Sequence, residues 1–142
     1  MKKYLIFICL FFTLGYCFAQ HTALDAGKKV FIENNSKNEN TINTAQELLT
    51  QLKEWGYWQV VAKKEEADFQ IKLEVSASKG ITLTSWGGTS YVLVAKLVDT
   101  KGEVIWESNA YKSSPNGTNG FNSSKAVVKK LMRDLKNKFK TE

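Results

Sequence analysis

The sequence predicts an α+β domain: a mostly antiparallel sheet of four to five strands with two helices packed on one face, in the order β-α-β-β-β-β-α. Three observations carry this expectation. Apolar residues recur at spacings of three and four in only two stretches, around 45–55 and 127–139. Alternating or continuous β-branched and aromatic runs fill most of the interval between them. Turn-forming Asn, Gly, Asp and Ser punctuate the chain where one pattern gives way to the next.

In chain order, Val30-Phe31-Ile32-Glu33 reads as the first strand and Asn34 to Asn43 as a polar surface loop. Thr44-Ala45-Gln46-Glu47 matches a capping box, and Ala45, Leu48, Leu49, Leu52 and Trp55 then share one side of a helix that stops at Gly56. Trp58 to Val61 is expected as a strand, followed by a charged turn at Lys63 to Glu66. Phe69, Ile71, Leu73 and Val75 alternate with Gln70, Lys72 and Glu74, the pattern of a strand with one buried and one wet face, broken near Gly80. Gly87-Gly88 suggests a tight hairpin turn. Tyr91 to Val98 is a central strand, Asp99 to Gly102 a turn and Glu103 to Glu107 the returning strand. Ser113 to Asn122 is a loop, and Ser123 or Ser124 caps a last helix from Lys125 to about Phe139. On that helix Val127, Val128, Leu131, Met132, Leu135 and Phe139 form one arc, and Lys125, Lys129, Lys130, Arg133, Lys136 and Lys140 the other.

The first nineteen residues stand apart. Lys2-Lys3, an apolar run from Tyr4 to Phe12 and the close Cys17-Phe18-Ala19 have the layout of a secretory signal peptide cut after Ala19. The expected organisation is a signal at 1–19, a flexible lead-in at 20–29 and one domain over 30–142, working in the periplasm or outside the cell. Lipid attachment at Cys17 is the competing reading, opposed by Tyr16 where lipoprotein processing wants a small residue. The cut removes both cysteines, so the remaining chain holds together without disulfides. It also lowers the formal net charge from +6 to +4 by removing Lys2 and Lys3. A basic protein outside the cytoplasm meets anionic lipid, glycans and acidic proteins; nucleic acid is not an expected partner.

Catalytic motifs are scarce. A single histidine, His21, excludes a three-histidine metal site within one chain, and its place in the first residues after the signal argues against a Ser-His-Asp triad. Ser76-Ala77-Ser78-Lys79 spells S-x-x-K but closes a strand rather than opening a helix. The glycines of Gly117-Thr118-Asn119-Gly120 lack the spacing and lysine of a phosphate-binding loop. No catalytic residue, cofactor or metal is therefore expected. The candidates for partner binding are Trp86 and Tyr91 by the hairpin, and Lys129, Arg133, Lys136 and Lys140 on the basic arc.

Several runs together carry a family resemblance: Gly56-Tyr57-Trp58-Gln59-Val60-Val61 after the helix, Ala67-Asp68-Phe69, and Asp99-Thr100-Lys101-Gly102-Glu103-Val104-Ile105-Trp106. With the closing helix, they resemble small bacterial envelope accessory domains: the N-terminal domain of the Tol-system periplasmic protein, the curli-secretion lipoprotein and the lipoprotein activators of peptidoglycan synthases. The resemblance implies a non-catalytic module that binds another envelope protein. The lysine start and the Phe18-Ala19-Gln20 ending also look like those of Bacteroidetes exported proteins. The alternative function is a small secreted carboxylate-based hydrolase or glycan-binding protein; a third is association with an anionic membrane surface through the basic last helix.

Overall fold

The computed structural model describes residues 24–34, 36–79, 89–114 and 122–139. They form a two-layer α+β fold, one sheet with two helices on one face. In chain order the elements are β1 (Lys29–Glu33), α1 (Glu39–Trp55), β2 (Gln59–Val60), a 3-10 turn (Lys64–Glu66), β3 (Phe69–Lys79), β4 (Thr89–Asp99), β5 (Val104–Glu107), β6 (Tyr111–Ser113) and α2 (Ser123–Lys138).

The six-stranded sheet has the order β2-β1-β3-β4-β5, with β6 also on β4. Its spine is the antiparallel β3–β4 pair, in unbroken register from Phe69 opposite Asp99 to Lys79 opposite Thr89. β1 runs parallel to both of its neighbours, β2 and β3. The sixth strand was not expected. It is β6, three residues long and held only by β4, so it lacks the length that gives a strand a periodic signature. β5 and β6 share one edge of β4, and Ser108 joins them. Its backbone N–H donates to the Ala95 carbonyl at 2.9 Å, and its Oγ accepts from the Ala95 N–H at 2.9 Å. β3 shows no break before Lys79; the break expected near Gly80 lies outside the described residues.

Alternation assigns the faces. Val30 and Ile32 of β1, Phe69 and Ile71 of β3, and Leu93, Ala95 and Leu97 of β4 are buried toward the helices. Leu48 and Leu52 of α1, and Val127, Val128, Leu131 and Leu135 of α2, close on them from above, each with no exposed surface. At about 2 kcal/mol for each buried aliphatic side chain, this shared layer is what fixes both helices on the sheet. One end is closed by aromatic rings around Trp58. Trp55, Tyr57, Phe69 and Phe139 lie 4.9–5.7 Å from it, centroid to centroid. The Trp58 ring nitrogen donates to the Leu24 carbonyl at 3.0 Å, and Leu24 itself is buried.

Both helices begin earlier than their local signals indicate. α1 starts at Glu39, with the Asn38 side chain accepting from the Asn40 N–H, so Thr44 is interior and is not the cap. Its hydroxyl donates to the Asn40 carbonyl at 2.7 Å and meets Ser124 Oγ at 2.9 Å, fully buried. The Thr44–Glu47 capping box is thus overridden by tertiary packing, and the helix takes in part of the expected loop. Likewise Asn122 caps α2, its side chain accepting from the Lys125 N–H at 2.9 Å, while Ser123 and Ser124 are buried in the first turn. The stop at Gly56 is as the sequence predicts. Its φ of 66° lies in the left-handed region, and its N–H donates to the Leu52 carbonyl. Asp99 organises the β4–β5 turn by accepting from the Lys101 and Glu103 N–H groups, both at 2.8 Å.

Candidate partner-binding groove

The two helices lie side by side and leave a groove of about 590 Å³ between their outer faces. α2 contributes Lys125, Lys129, Arg133 and Lys136 to it, at steps of four and three that stack them along one side of the helix. α1 contributes Glu47, Thr50, Gln51 and Glu54. Met132, almost completely buried, supplies apolar surface to the lining. The groove therefore has a cationic wall of four residues facing a wall with two carboxylates.

The charges are not spent on one another. Glu47 accepts from Gln51 Nε2 at 2.7 Å within its own helix. Arg133 Nε pairs with the adjacent Asp134 at 3.1 Å. Lys125, Lys129 and Lys136 make no ion pair among the described residues. All four cationic residues are exposed. Behind Arg133, Asp134 also receives the Tyr111 hydroxyl at 2.8 Å. That hydrogen bond, with the Arg133 charge after it, holds the Asp134 carboxyl below its usual range. Burial, and then the bond to Asp134, push the Tyr111 phenol well above its ordinary value. The pair ties β6 to α2 and fixes the position of the Arg133 backbone.

Of the expected binding residues, the fold brings Lys129, Arg133 and Lys136 together in this groove. Tyr91 is separate from them but close by. Half-buried, it donates its hydroxyl to Asn40 Oδ1 at 2.6 Å and lines a smaller hollow of about 330 Å³ at the start of both helices. The two hollows share Glu47 and Thr50 in their linings, so they adjoin along α1. Trp86 and Lys140 lie outside the described residues, as does the Gly87-Gly88 turn. The α1 wall is not among the binding residues the sequence predicts. Glu47 and Glu54 are seven residues apart and so share a helix face, which is the signal that could have found them.

Other polar clusters are smaller. On the sheet face away from the helices, Glu33 pairs with Lys72 at 3.1 Å and Glu74 with Lys96 at 2.7 Å. The bond it donates to Glu74 raises the Lys96 ammonium above its ordinary value. Among the described residues there is no group of three or more His, Cys, Asp or Glu placed to hold a metal ion, and no helix long and apolar enough to cross a membrane.

No protein-family model matches the sequence, and no curated protein matches it closely enough to count as a relative. Solved structures do match the fold. PelC from Paraburkholderia phytofirmans, crystallised as a dodecamer, superposes with a TM-score of 0.61 at 16% identity, over 79% of this chain and 90% of that one. A minor lipoprotein from Acinetobacter baumannii gives 0.53 at 15% identity, over 78% and 94%. Lipoprotein GNA1162 from Neisseria meningitidis gives 0.50 at 14% identity, over 79% and 97%. At these identities the likeness is one of fold, and it spans nearly the whole of each neighbour.

Proposed function

We propose that this chain is an exported, non-catalytic accessory module of the bacterial cell envelope, and that it works by holding an acidic segment of another envelope protein in the α1–α2 groove. The observation that carries the proposal is the row Lys125, Lys129, Arg133 and Lys136 along one groove wall, three of its members without an ion pair among the described residues. An extended acidic segment laid along α2 would meet a cation at every turn, and Glu47 and Glu54 opposite would favour one that also carries scattered basic residues. A concave site with an apolar contribution from Met132 suits a polypeptide better than the flat surface of a membrane.

Setting supports the reading. Several proteins sharing the fold are described as lipoproteins, and the resemblance to the Tol, curli and peptidoglycan-synthase accessory domains points to the same compartment. The signal layout of residues 1–19 provides the route, with cleavage after Ala19 favoured over lipidation of Cys17. The test is crosslinking in intact envelopes, comparing the native protein with a triple charge reversal, Lys129→Glu, Arg133→Glu and Lys136→Glu. A specific crosslinked protein that is lost in the reversal, while the melting temperature holds, is the expected result. A crosslinked partner retained in full by the reversal would remove the groove from the interaction. Turnover of a glycan or ester by the native protein would overturn the non-catalytic reading.

A further inference from the structure

The two helices run parallel, which orders the groove along its length as well as across it. At their starts Thr44 of α1 meets Ser124 of α2, hydroxyl to hydroxyl at 2.9 Å; at their far ends Trp55 of α1 and Phe139, just past α2, both pack against Trp58. With Thr44 and Ser124 level, and a rise of about 1.5 Å per residue, each lining residue takes a height along the groove. From the helix starts onward the order is Lys125, Glu47, Lys129, Thr50 with Gln51, Arg133, Glu54 and Lys136. The walls therefore take turns. A cation from α2 is followed by a carboxylate from α1, then a cation, two uncharged side chains, a cation, a carboxylate and a last cation. From Lys125 to Lys136 these levels span about 16.5 Å, a mean step of about 2.8 Å.

We infer that the groove selects an extended segment whose acidic residues alternate with basic or polar ones, in the order acid, base, acid, polar, acid, base, acid. This rests on the reading of the groove as a partner site and gives that partner a sequence pattern. An extended chain sends successive side chains to opposite sides, at about 3.3 Å per residue. Laid between two walls, its odd residues face α2 and its even residues face α1. The odd ones then meet Lys125, Lys129, Arg133 and Lys136, and the even ones meet Glu47, the uncharged Thr50 and Gln51, and Glu54. Over six steps the chain outruns the wall positions by about 3 Å, a mismatch that the long Lys and Arg stems absorb. The pattern reads the same in both directions, so charge alone does not set which way the segment runs. A helical occupant is the rival, because acids four residues apart on a helix also repeat about every 6 Å. Helices pack through interlocking apolar ridges, however, and the one apolar residue of the lining is Met132, with 3% of its surface exposed. An extended chain needs no such ridge.

The experiment titrates end-capped peptides into the isotope-labelled protein secreted by an expressing host. Amide shifts of residues 125–137 are followed up to about 5 mM peptide, where millimolar affinities register. One peptide reads Glu-Lys-Glu-Ser-Glu-Lys-Glu; its isomer, Glu-Glu-Glu-Glu-Ser-Lys-Lys, has the same composition and net charge in blocks. In either direction the isomer sets an acid against a groove carboxylate and a base against a groove lysine, so the alternating peptide should bind about fivefold or more tightly. Glu47→Gln with Glu54→Gln should narrow that preference. Glu54 is exposed and Glu47 half-buried, so the melting temperature, read alongside, should hold. Lys129→Glu, Arg133→Glu and Lys136→Glu together should abolish binding of both peptides. Equal affinity for the two isomers, a preference untouched by the α1 pair, or tighter binding of a helix-forming peptide with acids four residues apart overturns the alternating pattern and leaves the groove a site for acidic segments. Binding of none of these peptides, or binding indifferent to the triple reversal, overturns the partner-site reading along with it.

Discussion

Truncating Leu135 should be among the more damaging single changes in this protein. The side chain has no exposed surface and sits on the face of α2 that meets the sheet, in the same buried cluster as Leu131, Trp58 and Phe69. Leu135→Ala deletes three carbon atoms, a transfer loss of about 2.4 kcal/mol at about 0.8 kcal/mol for each. The sheet beneath is held rigidly by the β3–β4 ladder and cannot collapse into the space, so a cavity cost adds to this. The total should be about 3–4 kcal/mol, inside the range measured for buried leucines elsewhere. Against a whole-domain stability of about 5–15 kcal/mol, that lowers the melting temperature by roughly 10–15 °C. Lys136→Ala, one residue on, changes an exposed side chain with no ion pair among the described residues and should shift it by less than about 2 °C. Thermal unfolding followed by circular dichroism measures both. Equal, small shifts would mean that α2 is not fixed on the sheet, and the groove it forms with α1 would lose its basis.

Two further outcomes follow from the local chemistry. The Tyr111–Asp134 pair should shape stability at both ends of the pH range. Asp134, depressed by the Tyr111 hydrogen bond, contributes stability above the unfolded carboxylate value of about 4 and loses it as pH falls through its own lower value; Tyr111, raised, contributes fully below about 10 and loses it as pH climbs beyond. Tyr111→Phe should flatten both arms of a melting-temperature profile against pH, and unchanged arms would show that the pair contributes nothing. Gly56→Ala should cost about 1 kcal/mol because of its φ of 66° rather than any clash, since nothing lies within 4 Å of an added Cβ. A denaturant midpoint equal to that of the native protein would contradict this.

Local pattern determined the parts of this protein that depend on neighbours in sequence. The alternation Phe69-Gln70-Ile71-Lys72 set which face of β3 is buried, Gly56 ended α1, and the apolar arc Val127 to Leu135 gave α2 its inward side. The cationic arc was legible for the same reason, because a helix maps spacing onto faces. What depended on distant partners was decided only in three dimensions. Thr44 carries a cap signature, yet the helix runs through it because its hydroxyl is needed inside, against Ser124, eighty residues away in sequence. β1 and β2 pair in parallel because α1 carries the chain back across the sheet between them, and β6 pairs at all because β5 leaves part of the β4 edge uncovered. The groove is of the same kind. Each of its walls is written in a single helix, but the hollow exists only where burial of Leu48, Leu52, Leu131 and Leu135 presses two helices onto one sheet. Periodicity fixes what each element buries; which elements meet is set by the apolar surface they can cover together, and no local run of residues encodes that.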